Sequence, residues 1–178
     1  MNEYPQSVLT KAAATRLLIL DVDGVLTDGR LYYLSGGGEG KAFNTQDGAG
    51  LKMLMGTGVT VAIVTGRRSE MVERRARELG IAHLYQGAED KALILDELSQ
   101  RTRVDRKAIA HMGDDIPDLA LFRRVALRLS VPGGHPEVRL RADYVTRAGG
   151  GMGAVAEVCH LIMIAQDTWP AALAAIDR

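Results

Sequence analysis

Residues 17–29 read LLILDVDGVLTDG. The run Leu17–Val22 is nearly all apolar and is broken only by Asp21. An apolar run of that length marks a strand buried on both faces, as in a parallel sheet. Two carboxylates and a glycine, Asp21, Asp23 and Gly24, then follow directly. In an open α/β sheet, ligands bind just beyond the carboxyl ends of the strands. The stretch therefore predicts both a central strand and the edge where chemistry occurs.

Further strands are expected at Val59–Val64, Ala82–Tyr85, Ile109–Met112 and Val125–Leu129, with a short one at Asp143–Val145. Helical patterns lie between them. Ala49–Met55 ends at Gly56, Ser69–Leu79 stops at Gly80, and Asp90–Gln100 gathers Leu93, Ile94 and Leu98. Ile116–Arg124 carries Pro117 in its first turn, where the missing N–H costs little, and Gly153–Gln166 is apolar on most sides. Strands alternating with helices imply an α/β fold with a doubly wound parallel sheet. One segment departs from that order: Arg30–Leu34 and Lys41–Thr45 flank SGGGEG, which reads as an inserted β-hairpin. No other insertion is large enough for a cap domain. The expected organisation is an N-terminal arm over 1–16, one domain over 17–166 with its hairpin at 30–45, and a C-terminal tail over 167–178.

Bulk properties narrow the function. The 178 residues are 47% hydrophobic and 25% charged, ordinary for one globular domain. Basic and acidic residues both number 22, without the basic excess of a nucleic-acid binder. Aromatic content is 4%, which also argues against base stacking. The single cysteine, Cys159, permits no internal disulfide and suits a reducing compartment. Met1–Arg16 lacks the apolar core of a signal peptide, and Val155–Ala165 is too short and polar to span a bilayer. A cytoplasmic protein without membrane contact is expected.

Chemistry-bearing residues recur after the expected strands: Asp21-Val22-Asp23-Gly24, then Thr65-Gly66-Arg67, then Gly113-Asp114-Asp115-Ile116-Pro117-Asp118. Lys91 opens the helix before the fourth strand. Carboxylates crowded at one edge raise one another's pKa values. A hard divalent cation removes that conflict, and magnesium typically takes one or two carboxylates plus substrate phosphate. Asp21, Asp23 and Asp114 suit this. In extended chain, Asp21 and Asp23 face the same side. One carboxylate then attacks phosphorus as a nucleophile while the other moves the proton.

The motifs DVDGVLTDG, VTGR, Lys91 and GDDIPD, in that order, resemble the haloacid dehalogenase superfamily of phosphatases from about Leu17 to Gln166. The resemblance implies Asp21 as nucleophile and Asp23 as general acid/base, with the Asp23 backbone carbonyl on magnesium. It implies Thr65 and Lys91 on the transferring phosphoryl, Asp114 as a metal ligand, and Asp115 and Asp118 organising the metal or Lys91. The stretches GKAFNTQDGAGLKML, VAIVTGRRSEMVERRARELGIAHLYQGAEDK and RADYVTRAGGGMGAVAEVC are similar, more narrowly, to the capless 3-deoxy-D-manno-octulosonate 8-phosphate phosphatases of lipopolysaccharide biosynthesis. That resemblance implies a small phosphorylated sugar acid as substrate and a homotetramer whose hairpins build a central barrel. It makes Arg67 and Arg75, with Gly66 beside them, candidates for binding the substrate, since arginine grips carboxylates bidentately. Met152 stands where the family often carries a basic residue. Related capless phosphatases act on nine-carbon sugar-acid phosphates, so that substrate stays open.

Plainer roles compete at several positions. Asp115 and Asp118 suit capping of the Pro117 helix, and Asp28 and Asp47, beside glycines, suit turns. The four histidines lack metal-ligand spacing, and Cys159 suits packing. A signalling receiver domain also clusters carboxylates, a threonine and a lysine, but its phosphoacceptor follows the third strand rather than the first. A non-catalytic scaffold would be marked by loss of Asp21, Asp23, Lys91 or Asp114, and all four are present.

Overall fold

The continuous apolar run becomes strand β1, Leu17–Leu20, whose four residues are all buried. Leu18 and Leu20 pack into the larger core cluster and Leu17 and Ile19 into the smaller one. Alternation across a strand is why both faces must be apolar. The computed structural model describes residues 4–176.

The hairpin strands are β2, Tyr32–Tyr33, and β3, Glu39–Gly40. The remaining strands are β4, Thr60–Thr65; β5, His83–Gln86; β6, Ile109–Met112; β7, Leu127–Ser130; and β8, Tyr144–Val145. The main sheet runs β5-β4-β1-β6-β7-β8, and each neighbouring pair is parallel. After β1 the chain builds β4 and β5 on one side, then crosses to build β6, β7 and β8 on the other. The strand order therefore reverses between β1 and β6, and a crevice opens at the carboxyl ends flanking such a switch point.

Helices α2, Thr45–Gly56; α3, Glu70–Leu79; and α7, Ala154–Ala165, contribute Leu51, Val72 and Val155 to the larger cluster. Helix α4, Lys91–Thr102, and the short α5, Leu119–Phe122, contribute Leu95, Leu98 and Leu121 to the smaller one. Leu95 and Leu98 are fully buried, each contributing about 1.5–3 kcal/mol of transfer free energy.

Some local features had no sequence-based expectation, and others depart from one. The N-terminal arm contains helix α1, Gln6–Ala13, and buries Val8 and Ala12 in the larger cluster. The tail contains α8, Trp169–Ala174, with Trp169 packed against the same cluster. A further short helix, α6, Pro136–Arg141, had no expected counterpart. The second hairpin arm is not Lys41–Thr45: Tyr32 pairs with Gly40 and Tyr33 with Glu39. Asn44 instead caps α2, its side-chain oxygen accepting from the Gln46 N–H at 2.7 Å. Asp47 lies inside α2 rather than in a turn, and accepts from the Ala156 N–H at 2.8 Å. It thereby caps the first turn of α7.

Candidate active site

Past Leu20 the chain leaves the strand, and Val22–Thr27 forms a tight loop. The buried Thr27 hydroxyl accepts from the Gly24 and Gly29 N–H groups and donates to the Val22 carbonyl, at 3.2–3.3 Å. Gly24 has φ +90°, and a Cβ there would lie 2.0 Å from Asp114 Oδ2. Glycine is needed both for that backbone and for the approach of Asp114. The loop 149–153 closes over the same turn. A Cβ on Gly150 would lie 1.8 Å from the Gly24 carbonyl oxygen, and the Gly151 N–H donates to Val25 O at 2.9 Å.

At the switch point, Lys91 Nζ, delivered by the first turn of α4, donates to Asp21 Oδ1 at 3.0 Å and to Asp118 Oδ1 at 2.6 Å. All three residues are buried. Asp118 Oδ1 also meets His111 Nε2 at 3.2 Å, while Asp118 Oδ2 accepts from the Asp114 and Asp115 N–H groups at 3.0 and 3.2 Å. Asp118 thus organises the loop after β6 and holds Lys91 in place. Asp115 closes a capping box with Asp118 and accepts from the Ile116 N–H at 2.8 Å. Gly113 permits this: a Cβ there would lie 2.4 Å from Asp118 Cγ.

Carboxylate oxygens of Asp21, Asp114 and Asp118 lie within 4.8 Å of one another. Burial pushes the Asp21 carboxyl up to about 6, reinforced by the Asp118 charge. Burial pushes Asp114 up to about 7, with Asp21 and Asp118 adding to it. Asp118 goes the other way: burial would raise it, but His111 and Lys91 outweigh burial and hold it well below the usual carboxylate range. Lys91 is raised, because its two carboxylate partners outweigh burial. Asp114 Oδ1 is buried with no hydrogen-bond partner. An uncompensated carboxylate oxygen beside a second raised carboxylate fits a hard dication.

Thr65 is buried at the end of β4, and Gly66 follows it, exposed. Asp23 does not join the Asp21 cluster through its carboxylate. One oxygen pairs with Lys41 Nζ, and the other lies 3.8 Å from Arg67 Nε. The strand ends at Leu20, so the alternation that would have aligned Asp21 with Asp23 does not continue. Arg75 is engaged elsewhere: it donates to the Asn44 carbonyl at 3.1 Å, stacks over Phe43, and lies 3.6 Å from Glu78. Met152 is exposed on the loop that covers Gly24. Lys41 and His111 are the site residues that sequence reading missed. Each meets its carboxylate only through the tertiary fold.

This sheet and this set of carboxylates define a haloacid dehalogenase-like hydrolase, and the family model so described matches residues 81–158. The chain is 46% identical over 159 residues to the 3-deoxy-D-manno-octulosonate 8-phosphate phosphatase of Salmonella typhi, covering 89% of this chain and 85% of that protein. It therefore belongs to the 3-deoxy-D-manno-octulosonate 8-phosphate phosphatase family. The solved Yersinia pestis phosphatase of that name superposes with TM-score 0.90 at 46% identity, over 92% of this chain and 88% of that one. The Moraxella catarrhalis phosphatase, solved in complex with a magnesium ion, a phosphate ion and a KDO molecule, superposes with TM-score 0.94 at 44% identity, over 97% and 99%.

Proposed function

We propose that this chain hydrolyses 3-deoxy-D-manno-octulosonate 8-phosphate to the free sugar acid and phosphate, with magnesium, through a phosphorylated Asp21. The observation that carries the reading is the buried Asp21–Lys91–Asp118 chain beside Asp114, whose Oδ1 has no partner. Asp21, Asp114 and the backbone carbonyl of Asp23 would hold the magnesium. When bound, it offsets negative charge on the transferring phosphoryl group. Asp118 is a poor ligand, because both its oxygens already accept hydrogen bonds.

The Asp21 carboxylate attacks phosphorus, and the bond from phosphorus to the sugar oxygen breaks. Asp23 gives its proton to that departing oxygen. Lys91 and the Thr65 hydroxyl steady the equatorial oxygens. Water then attacks phosphorus, returns a proton to Asp23, and the bond to Asp21 breaks with release of phosphate. Arg67, half-exposed beside Asp23, receives the sugar carboxylate, with Gly66 leaving room at its side. Arg75 is the second candidate for that carboxylate, and within this chain it also donates to the Asn44 carbonyl at the entrance to α2.

The reading extends to a cytoplasmic homotetramer acting in lipopolysaccharide biosynthesis. Tyr33 and Leu34, exposed on the hairpin, supply apolar surface for assembly. Among the described residues no helix is long and apolar enough to cross a membrane. A monomer by light scattering with full activity would remove the tetramer. The central test is phosphate release from the eight-carbon sugar-acid 8-phosphate and a nine-carbon counterpart, with magnesium and with chelator. Magnesium-dependent release favouring the eight-carbon ester is expected. A nine-carbon preference overturns the substrate, and no release from either overturns the activity.

A further inference from the structure

We propose that Lys41 is a positioning residue for Asp23, and through it for protonation of the departing sugar oxygen. The inference rests on the reading of Asp23 as the proton donor.

Lys41 follows β3, and its side chain is only 1% exposed. Burying an ammonium costs several kcal/mol unless it is closely paired. Its partners are Asp23 Oδ1 and, at 3.2 Å, Glu39 Oε1. Glu39 and Lys41 stand two apart on extended chain, which turns both side chains to one side. Arg67 completes the set, 3.8 Å from Asp23 Oδ2 and 3.5 Å from Glu39 Oε2. Two carboxylates and two cations therefore alternate around a closed ring.

The two cations are not equivalent. Arg67 is 45% exposed and sits at the longer distance. It can turn to an arriving sugar carboxylate without being buried first. Lys41 has no such freedom, so it is the contact that persists while substrate binds. Asp23 lies in a loop whose backbone is held by Thr27, but those bonds leave its side-chain torsions unfixed. Staggered alternatives about χ1 would swing the carboxyl away from the leaving oxygen. A proton donor must lie within about 2.6–3.2 Å of the atom it serves. Lys41 selects one rotamer. Merely tying the hairpin to the body would need no contact with Asp23.

The test compares two esters in the first turnover, followed by rapid mixing. The sugar phosphate leaves as a poor alkoxide and needs a proton. p-Nitrophenyl phosphate leaves as a stable phenolate and needs none. Lys41→Met should slow the first turnover of the sugar ester by roughly 30–100-fold, up to the low end of a general acid's contribution of about 10²–10⁴-fold because the acid itself is still present, and that of the nitrophenyl ester by less than about 3-fold. Lys41→Arg should recover part of the loss. Lys41→Gln, which keeps a donor in the buried position, serves the same comparison if methionine unfolds the hairpin. Equal slowing of both esters, or of neither, while Asp23→Asn still separates them, overturns the role of Lys41 alone. If Asp23→Asn itself fails to separate the esters, the reading of Asp23 falls and takes this inference with it.

Discussion

Asp114→Asn should make the metal-free protein more stable above pH 7 and remove most of what magnesium adds to stability. The Asp114 carboxyl is pushed up to about 7 from 3.8, first by burial and then by the charges of Asp21 and Asp118. Between those pH values the folded protein holds a proton that the unfolded chain has released. Stability therefore falls as pH rises through that window, and the full penalty stands above it. Three units correspond to roughly 4 kcal/mol at about 1.36 kcal/mol each. The site is partly open to water, and screening lowers the working figure to about 2 kcal/mol. Asparagine keeps the shape beside Gly24 and cannot ionise. Urea unfolding in chelator, at pH 5 and pH 8.5, reads the effect directly. With a slope of about 2 kcal/mol per molar, the variant's midpoint should exceed wild type by about 1 M at pH 8.5 and by a smaller margin at pH 5, where part of the window that begins at 3.8 has already been crossed. Carboxylates remote from Asp114 titrate alike in both proteins and cancel, while Asp21, relieved of a neighbouring charge, ionises more readily in the variant and widens the gap. Parallel pH profiles, with magnesium stabilising both proteins equally, would refute the placement of an uncompensated charge on Asp114.

Gly150→Ala should cost several kcal/mol or displace the loop 149–153, since the new Cβ would lie 1.8 Å from the Gly24 carbonyl oxygen. Thermal unfolding, with kcat measured on the folded fraction, checks it, and wild-type values in both would show that the two loops do not touch. Asp143 is held down to about 2, burial being outweighed by hydrogen bonds from Arg128 and Lys11. The stability it contributes is present above pH 4 and lost as pH falls toward 2; after solvent screening it is about 1 kcal/mol, so Asp143→Asn should narrow the difference in stability between pH 5 and pH 2.5 by that amount.

The sheet was legible because its signals are local. Ile109–Met112 is bounded to the residue, and Gly80, at φ +76°, ends α3 where the glycine stands. The hairpin was misjudged in register because six residues, SGGGEG, contain both the turn and its return strand. Composition alone does not say that Glu39 and Gly40 pair with the tyrosines. Helix α2 was started late because Asp47-Gly48 reads as a turn. The signal that outranks it is Asn44, a capping residue three positions earlier. Helix α1 escaped because its stability comes from packing Val8 and Ala12 on distant residues, which no local pattern announces.

Within the site, residue type was legible and partnership was not. Asp21, Asp23, Asp114 and Asp118 look alike in sequence, and the fold distinguishes them by the cation each receives. Lys91, from the start of α4, sits between Asp21 and Asp118. His111, from β6, adds a second contact to Asp118, and Lys41, from the hairpin, takes Asp23. Asp114 receives backbone proximity but no cation within ion-pair distance among the described residues. Two lysines from distant segments thus supply charge for three carboxylates and leave the fourth, with its buried Oδ1, short of a partner. A protein that assembles such a site at neutral pH must either protonate that carboxylate or bring in a cation from outside. Near the upper end of its raised range, protonation of Asp114 is only partial. The positive charge the site lacks is therefore one that a divalent ion can supply together with the phosphate that needs it.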